Sequence, residues 1–155
     1  MESATPPRDT AYAMSQEFID RIYASNDAFT RRDVEAMISL GMREDVEFQT
    51  VIAAMEGGEA GIYRGHDGVR RWMRELDETM EDLEAEITEV HDLGDGRYLL
   101  AGSFSGKGKE SGASFDFPIA WVYLTDEEEN LKRFEAHLDR AAALESVGLK
   151  EWPEG

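Results

Sequence analysis

In SFDFPIAWVYLTD, from residue 114, every second position is bulky: Phe115, Phe117, Ile119, Trp121 and Tyr123. Asp116, Pro118, Ala120 and Val122 lie between them. A strict period of two predicts a β-strand with two unlike faces. Earlier in the chain the period is different. Met14, Phe18, Ile22, Ser25 and Phe29 recur at steps of three and four, with Ile19 and Tyr23 widening the stripe, and this predicts a long amphipathic helix. Asp33 is placed to cap a second, shorter helix, VEAMISLG, that Gly41 ends.

DVEFQTVIAA then reads as a short strand and EGGEAG as a loop. A third helix is expected to open in YRGHDGVRRWMRELDETMED with Asp67 as its N-cap. Val69, Trp72, Met73, Leu76 and Met80 form its apolar stripe. LEAEITEVHDL and RYLLAGSFSG flank Gly94-Asp95-Gly96 and predict a hairpin. GKGKESG is a second turn. SFDFPIAWVYLTD and NLKRFEAHLD flank the acidic turn DEEEN, and DRAAALESVGL is a short final helix that Asp139 can cap. Helices ahead of an antiparallel meander predict an α+β fold, a curved sheet wrapped around the long first helix with two further helices and a short C-terminal one. Residues 14–150 form one domain on this reading. Residues 1–13, with Pro6 and Pro7, are expected to be a loose tail, and 151–155 a C-terminal tail.

If Trp121 faces the helices, so do Phe117, Ile119 and Tyr123, and on the next strand Phe134, Ala136 and Leu138. Asp116, Pro118, Ala120 and Val122, with Arg133, Glu135 and His137, then form the outer face. The bulky face is either plain core or the wall of a cavity, and both can hold at different depths. Tyr63 and Trp72 are expected near the lid of that interior, although Trp72 is equally a core residue.

Charge and composition narrow the partners. Sixteen basic residues against 34 acidic ones give −18, which disfavours nucleic acid and anionic membranes. With no cysteine there is neither a disulfide nor a thiolate metal site. No apolar run approaches the ~20 residues of a membrane span, and the N-terminus lacks a basic start followed by an apolar stretch, so a cytoplasmic protein is expected.

Few side chains suggest chemistry. His66, in GHDG before the third helix, is a weak acid–base candidate without a partner visible in sequence. His91 belongs at a strand end. Glu135, His137 and Asp139 alternate along one strand and make a hydrogen-bonding row suited to a subunit contact better than to a metal. Ser25 and Asn26 are polar on the inner side of the first helix. Glu47 and Gln49 should face away from Phe48. No phosphate loop or nucleotide fingerprint is present, and no metal or cofactor is expected.

YRGHDGVRRW, LGDGRYLLAG, GKGKESG and FEAHLDRAAALESVGL, in this order, resemble the SnoaL-like branch of the nuclear transport factor 2-like superfamily, over residues 15–150. The resemblance implies a cone-shaped α+β barrel, a deep cavity between the first helix and the sheet, and a homodimer through the outer sheet face. Members include polyketide cyclases, ketosteroid isomerases, dehydratases and epoxide hydrolases. Carried over residue by residue, the oxyanion tyrosine of the isomerases falls near Ser25, their general base near Phe48 and their oxyanion acid on Trp121. The catalytic aspartate of the W-R-D-Y-x-D pattern falls on Ala136. None of those groups is retained, and proton transfer next to a carbonyl needs a base and an aimed donor. The first expectation is therefore a protein that binds a small apolar or aromatic molecule through Ser25, Asn26, Phe48, Tyr63, Phe117, Ile119, Trp121, Tyr123, Phe134 and Leu138. The alternatives are an isomerase, cyclase or dehydratase acting on a polyketide- or steroid-like substrate, and a dimeric interaction module without a pocket.

Overall fold

A computed structural model describes residues 5–50, 52 and 61–153. Most of the expected EGGEAG loop and the end of the DVEFQTVIAA segment lie outside the described residues. Helix α1 (Thr5–Thr30) is followed by α2 (Val34–Ser39), β1 (Met42–Thr50), β2 (Gly61–Arg64) and α3 (Gly65–Thr79). Then come β3 (Met80–Gly94), β4 (Arg97–Gly108), β5 (Ser114–Thr125), β6 (Leu131–His137) and α4 (Arg140–Ser146). The six strands form one sheet in the order β2-β1-β6-β5-β4-β3, an open cone and not a closed barrel. All pairings are antiparallel except β1 with β6. Among the described residues no helix is long and apolar enough to cross a membrane.

Three sequence expectations are corrected at element ends. The segment read as a tail is helical from Thr5; Pro6 and Pro7 fit because the first turn has no intrahelical use for their missing N–H groups. Asp67 does not cap α3. The helix starts at Gly65 after Arg64 and carries Asp67 in its first turn, because the preceding residues pair as β2, a strand the periodicity did not reveal. At the other end, Trp152 is docked, donating from Nε1 to Glu89 at 2.9 Å beneath the Arg140 guanidinium. The caps at Asp33 and Asp139 stand as expected, each accepting a backbone N–H, from Ala36 at 3.0 Å and Ala141 at 2.8 Å.

Strand phase follows the alternation. Across the sheet Phe48 pairs with Phe134, Phe134 with Tyr123 and Tyr123 with Tyr98, and Trp121 pairs with Ala136. Ile119, Trp121, Phe134 and Ala136 join the stripes of α1 and α3 in one core, to which Phe18, Ile22, Phe29, Trp72 and Leu76 contribute. β3 lies tightly on β4: a Cβ at Gly102 would sit 1.8 Å from the Glu86 carbonyl, so only glycine fits there.

The opposite sheet face is covered in part by the chain itself. Leu99, Ala120 and Val122 are buried against Ala143 and Val147 at the C-terminal helix. The small residues Ala120 and Val122 of this face accommodate α4. Beside them Glu135, only 6% exposed, accepts from Arg133 Nε at 2.7 Å, His137 at 2.8 Å and Ser146 Oγ. Arg133 also reaches Glu47 and Gln49. This row ties α4 and β1 to β6 within one chain.

The His137 bond, then those from Ser146 and Arg133, hold the Glu135 carboxyl down at about 2. A carboxyl lower in the folded state stabilises above its unfolded value, ~4.3, and loses that contribution as pH falls through the folded one. Glu135→Gln is expected to lower stability by roughly 2 kcal/mol at pH 7. The gap should close between about pH 4.5 and pH 2, as read from urea unfolding across that range.

Candidate functional site

The stripe of α1, the stripe of α3 and the inner face of β1, β5 and β6 do not meet completely. Between them lies an apolar cavity of about 60 Å³, smaller than the ~150 Å³ cavity that takes up benzene, so an aromatic ring enters as side chains along the wall shift.

The wall is built in layers. Phe29 stacks on Trp72 at 5.7 Å, and Phe48 meets Trp72 edge-on at 5.1 Å and Phe134 at 4.6 Å. Tyr123 meets Phe134 edge-on at 5.3 Å. Trp121, Ile119 and Ala136 complete the sheet side, and Ser25 and Asn26 belong to the helix side. The three positions to which the isomerase groups were carried, Ser25, Phe48 and Trp121, all line this one space, as does Ala136. The residues around it that the sequence reading did not assign include Phe29, Met37, Thr50, Leu76 and Phe104. Phe29 and Leu76 were visible as apolar stripes. Their convergence depends on how two helices cross the sheet, which periodicity does not encode.

Seven of the ten proposed ligand contacts line the cavity, and three do not. Tyr63 is buried in the core between β2 and α3, where its hydroxyl donates to Glu75 at 2.6 Å and Arg71 stacks on its ring, and it does not line the cavity. Phe117 has the right phase but lies farther along β5, half-buried and stacked on Phe115 at 5.4 Å. Leu138 is 46% exposed, because β6 ends at His137 and the chain turns so that Asp139 can cap α4. His66 is no part of the wall either. Its Nε2 lies 3.2 Å from the Met42 carbonyl oxygen.

Electrostatically the cavity is nearly featureless. Among the described residues no Asp, Glu, His, Lys or Arg lines it. Its one titratable group is the Tyr123 phenol, which burial alone pushes well above the usual tyrosine range. That hydroxyl is therefore a neutral donor at any physiological pH, and it cannot act as a base. The Asn26 amide donates to the Ala85 carbonyl at 2.9 Å and pins α1 to β3. Thr50 accepts from the Ile52 backbone N–H at 3.2 Å. The Trp72 indole N–H is buried without a partner. Among the described residues no cluster of three or more His, Cys, Asp or Glu side chains is placed to hold a metal ion.

Residues 21–134 match the family model of the SnoaL-like domain. A search of curated proteins finds no match. Several solved structures share the fold. An NTF2-like protein of unknown function from Burkholderia pseudomallei K96243 is 21% identical, with a TM-score of 0.70 over 83% of this chain and 95% of that one. TerC co-crystallised with polyporic acid is 22% identical, with a TM-score of 0.68 over 85% of this chain and 98% of that one. A protein of ketosteroid isomerase-like fold from Catenulispora acidiphila DSM 44928, in complex with trimethylamine, is 18% identical, with a TM-score of 0.64 over 86% and 97%.

Proposed function

The chain belongs to the SnoaL-like family, and from that premise we propose that it is a small-molecule-binding protein whose cavity takes a flat, largely apolar molecule, aromatic or polyketide-like. The observation that carries this reading is the lining. Rings from β1, β5, β6, α1 and α3 surround a space with no ionisable side chain of the described residues except a phenol that stays protonated. Such a surface gains affinity from apolar area and ring contacts. Among the described residues it has no base of the kind that isomerisation, cyclisation by enolate chemistry or dehydration would need. Two proteins of the same fold were obtained with a small organic molecule, polyporic acid in one and trimethylamine in the other, which supports a binding role for the interior.

Equilibrium dialysis with 2-ethylnaphthalene, a flat hydrocarbon, tests the reading. Saturable binding of one molecule per chain is expected, with a Kd on the order of 10–100 µM for a ligand of this size. Because no described lining group changes charge there, the Kd should be the same at pH 6, 7.5 and 9. Absence of saturable binding contradicts the proposal. A Kd that moves tenfold across that range would place a titrating group in the site and favour an enzyme.

A further inference from the structure

The cavity does not end at Ser25 and Tyr123. A second, smaller space adjoins it and shares those two residues together with Met37, Met42 and Leu131. This extension is lined by Arg21, the only charged side chain at either space among the described residues. Arg21 and Ser25 are four residues apart on α1 and so lie on one face, one turn above the other. Tyr123 reaches the same turn from β5, with its ring 6.4 Å from that of Phe18.

The guanidinium is held in place. Its Nη1 donates to the Leu40 carbonyl at 3.1 Å, its Nη2 to Glu129 at 3.3 Å, and its plane lies 5.1 Å from the Phe18 ring. The absence of a side chain at Gly41 makes the room, since a Cβ there would sit 2.6 Å from Nη1. Yet Nε–H, buried although the side chain as a whole is partly exposed, has no acceptor. The Tyr123 phenol is raised by burial with no hydrogen bond contributing. A buried N–H without an acceptor is costly unless something supplies oxygen, and the Tyr123 hydroxyl is a second donor at the same junction.

We infer that Arg21, Ser25 and Tyr123 form a polar subsite at one end of the cavity, which receives an acceptor oxygen carried by the aromatic ligand, a carbonyl or a carboxylate. The inference rests on the binding reading above and adds the ligand's polar end to it. The rings hold the hydrocarbon part. The oxygen is met by donors that never need to ionise or move a proton, so the subsite orients the ligand without transforming it. A carbonyl satisfies the free donors without disturbing the Arg21–Glu129 pair. A carboxylate also gains from the positive charge of Arg21.

Three naphthalenes of matched shape supply the test: 2-ethylnaphthalene without an acceptor, 2-acetylnaphthalene with a carbonyl and 2-naphthoate with a carboxylate. Equilibrium dialysis is expected to give at least one oxygenated compound an affinity about tenfold above the hydrocarbon. Tyr123→Phe and Ser25→Ala should each reduce that advantage, the ratio of oxygenated to hydrocarbon affinity, by threefold or more. A urea unfolding curve for each variant is the control for folding. If all three compounds bind wild type equally, the polar subsite is overturned and the apolar cavity stands. The subsite also falls if the variants weaken all three compounds in proportion. If none binds, both readings fall.

Discussion

Replacing Phe48 by alanine is expected to lower the stability of the fold by about 3–4 kcal/mol, the largest effect of a single truncation here. Phe48 is 1% exposed and lies where α3, β1 and β6 meet, with the Trp72 ring at 5.1 Å and the Phe134 ring at 4.6 Å. Removing it forfeits the transfer free energy of a phenyl group and two ring contacts. Collapse cannot repair the loss, because the space beside Phe48 is already open and its other walls are anchored on separate elements. Urea unfolding followed by far-ultraviolet circular dichroism measures the change. A loss under 1 kcal/mol would mean that the aromatic layer does not hold the helices to the sheet.

The second large effect concerns binding. Ala136→Phe is expected to abolish uptake of 2-ethylnaphthalene, with at least a tenfold rise in Kd, while the protein stays folded. Ala136 is directly opposite Trp121 on the sheet and is the one small residue among the rings of the β5–β6 wall. A benzyl group there projects into the cavity and fills the volume a ligand ring would take. Overpacking should cost no more than about 1–3 kcal/mol, since open space is available to receive it. Dialysis against the hydrocarbon, with a urea curve for each variant, separates the two effects. Unchanged binding would place the ligand elsewhere.

The architecture was legible because both of its periods are clean. The stripe Phe18, Ile22, Ser25, Phe29 names the inner side of α1, and the alternation from Phe115 to Tyr123 names the inner side of β5. Aspartates 33 and 139 mark helix starts by a local chemistry that needs no tertiary information. β2 was missed because GIYR is too short to show a period. That miss propagated. Tyr63 was assigned to the cavity when its strand belongs to the sheet edge, and Asp67 was assigned a capping role that the strand-to-helix junction at Arg64 excludes.

At the site, phase was readable and position along the strand was not. Alternation placed Ile119, Trp121 and Tyr123 correctly, and it placed Phe117 on the same face without showing that the cavity ends before it. Leu138 followed the same arithmetic past the point where β6 stops. The outer face held a different lesson. Ala120 and Val122 pack against α4, and Glu135 bonds to its Ser146; a seven-residue helix gives little hint in sequence of where it packs. Arg21 was invisible for a related reason. A charged residue on an amphipathic helix reads as solvated, and only the space left at Gly41 lets it turn inward.

The central claim is that the aromatic interior, and not the surface, is the binding site. The chain's three tryptophans test it within one experiment. Trp72 and Trp121 line the cavity, whereas Trp152 lies on the opposite side of the sheet with its indole N–H on Glu89. In a nitrogen-15 correlation spectrum titrated with 2-acetylnaphthalene, the indole resonances of Trp72 and Trp121 should shift and saturate together while that of Trp152 stays in place. Movement of Trp152 alone, or of none of the three at saturating ligand, would contradict the account.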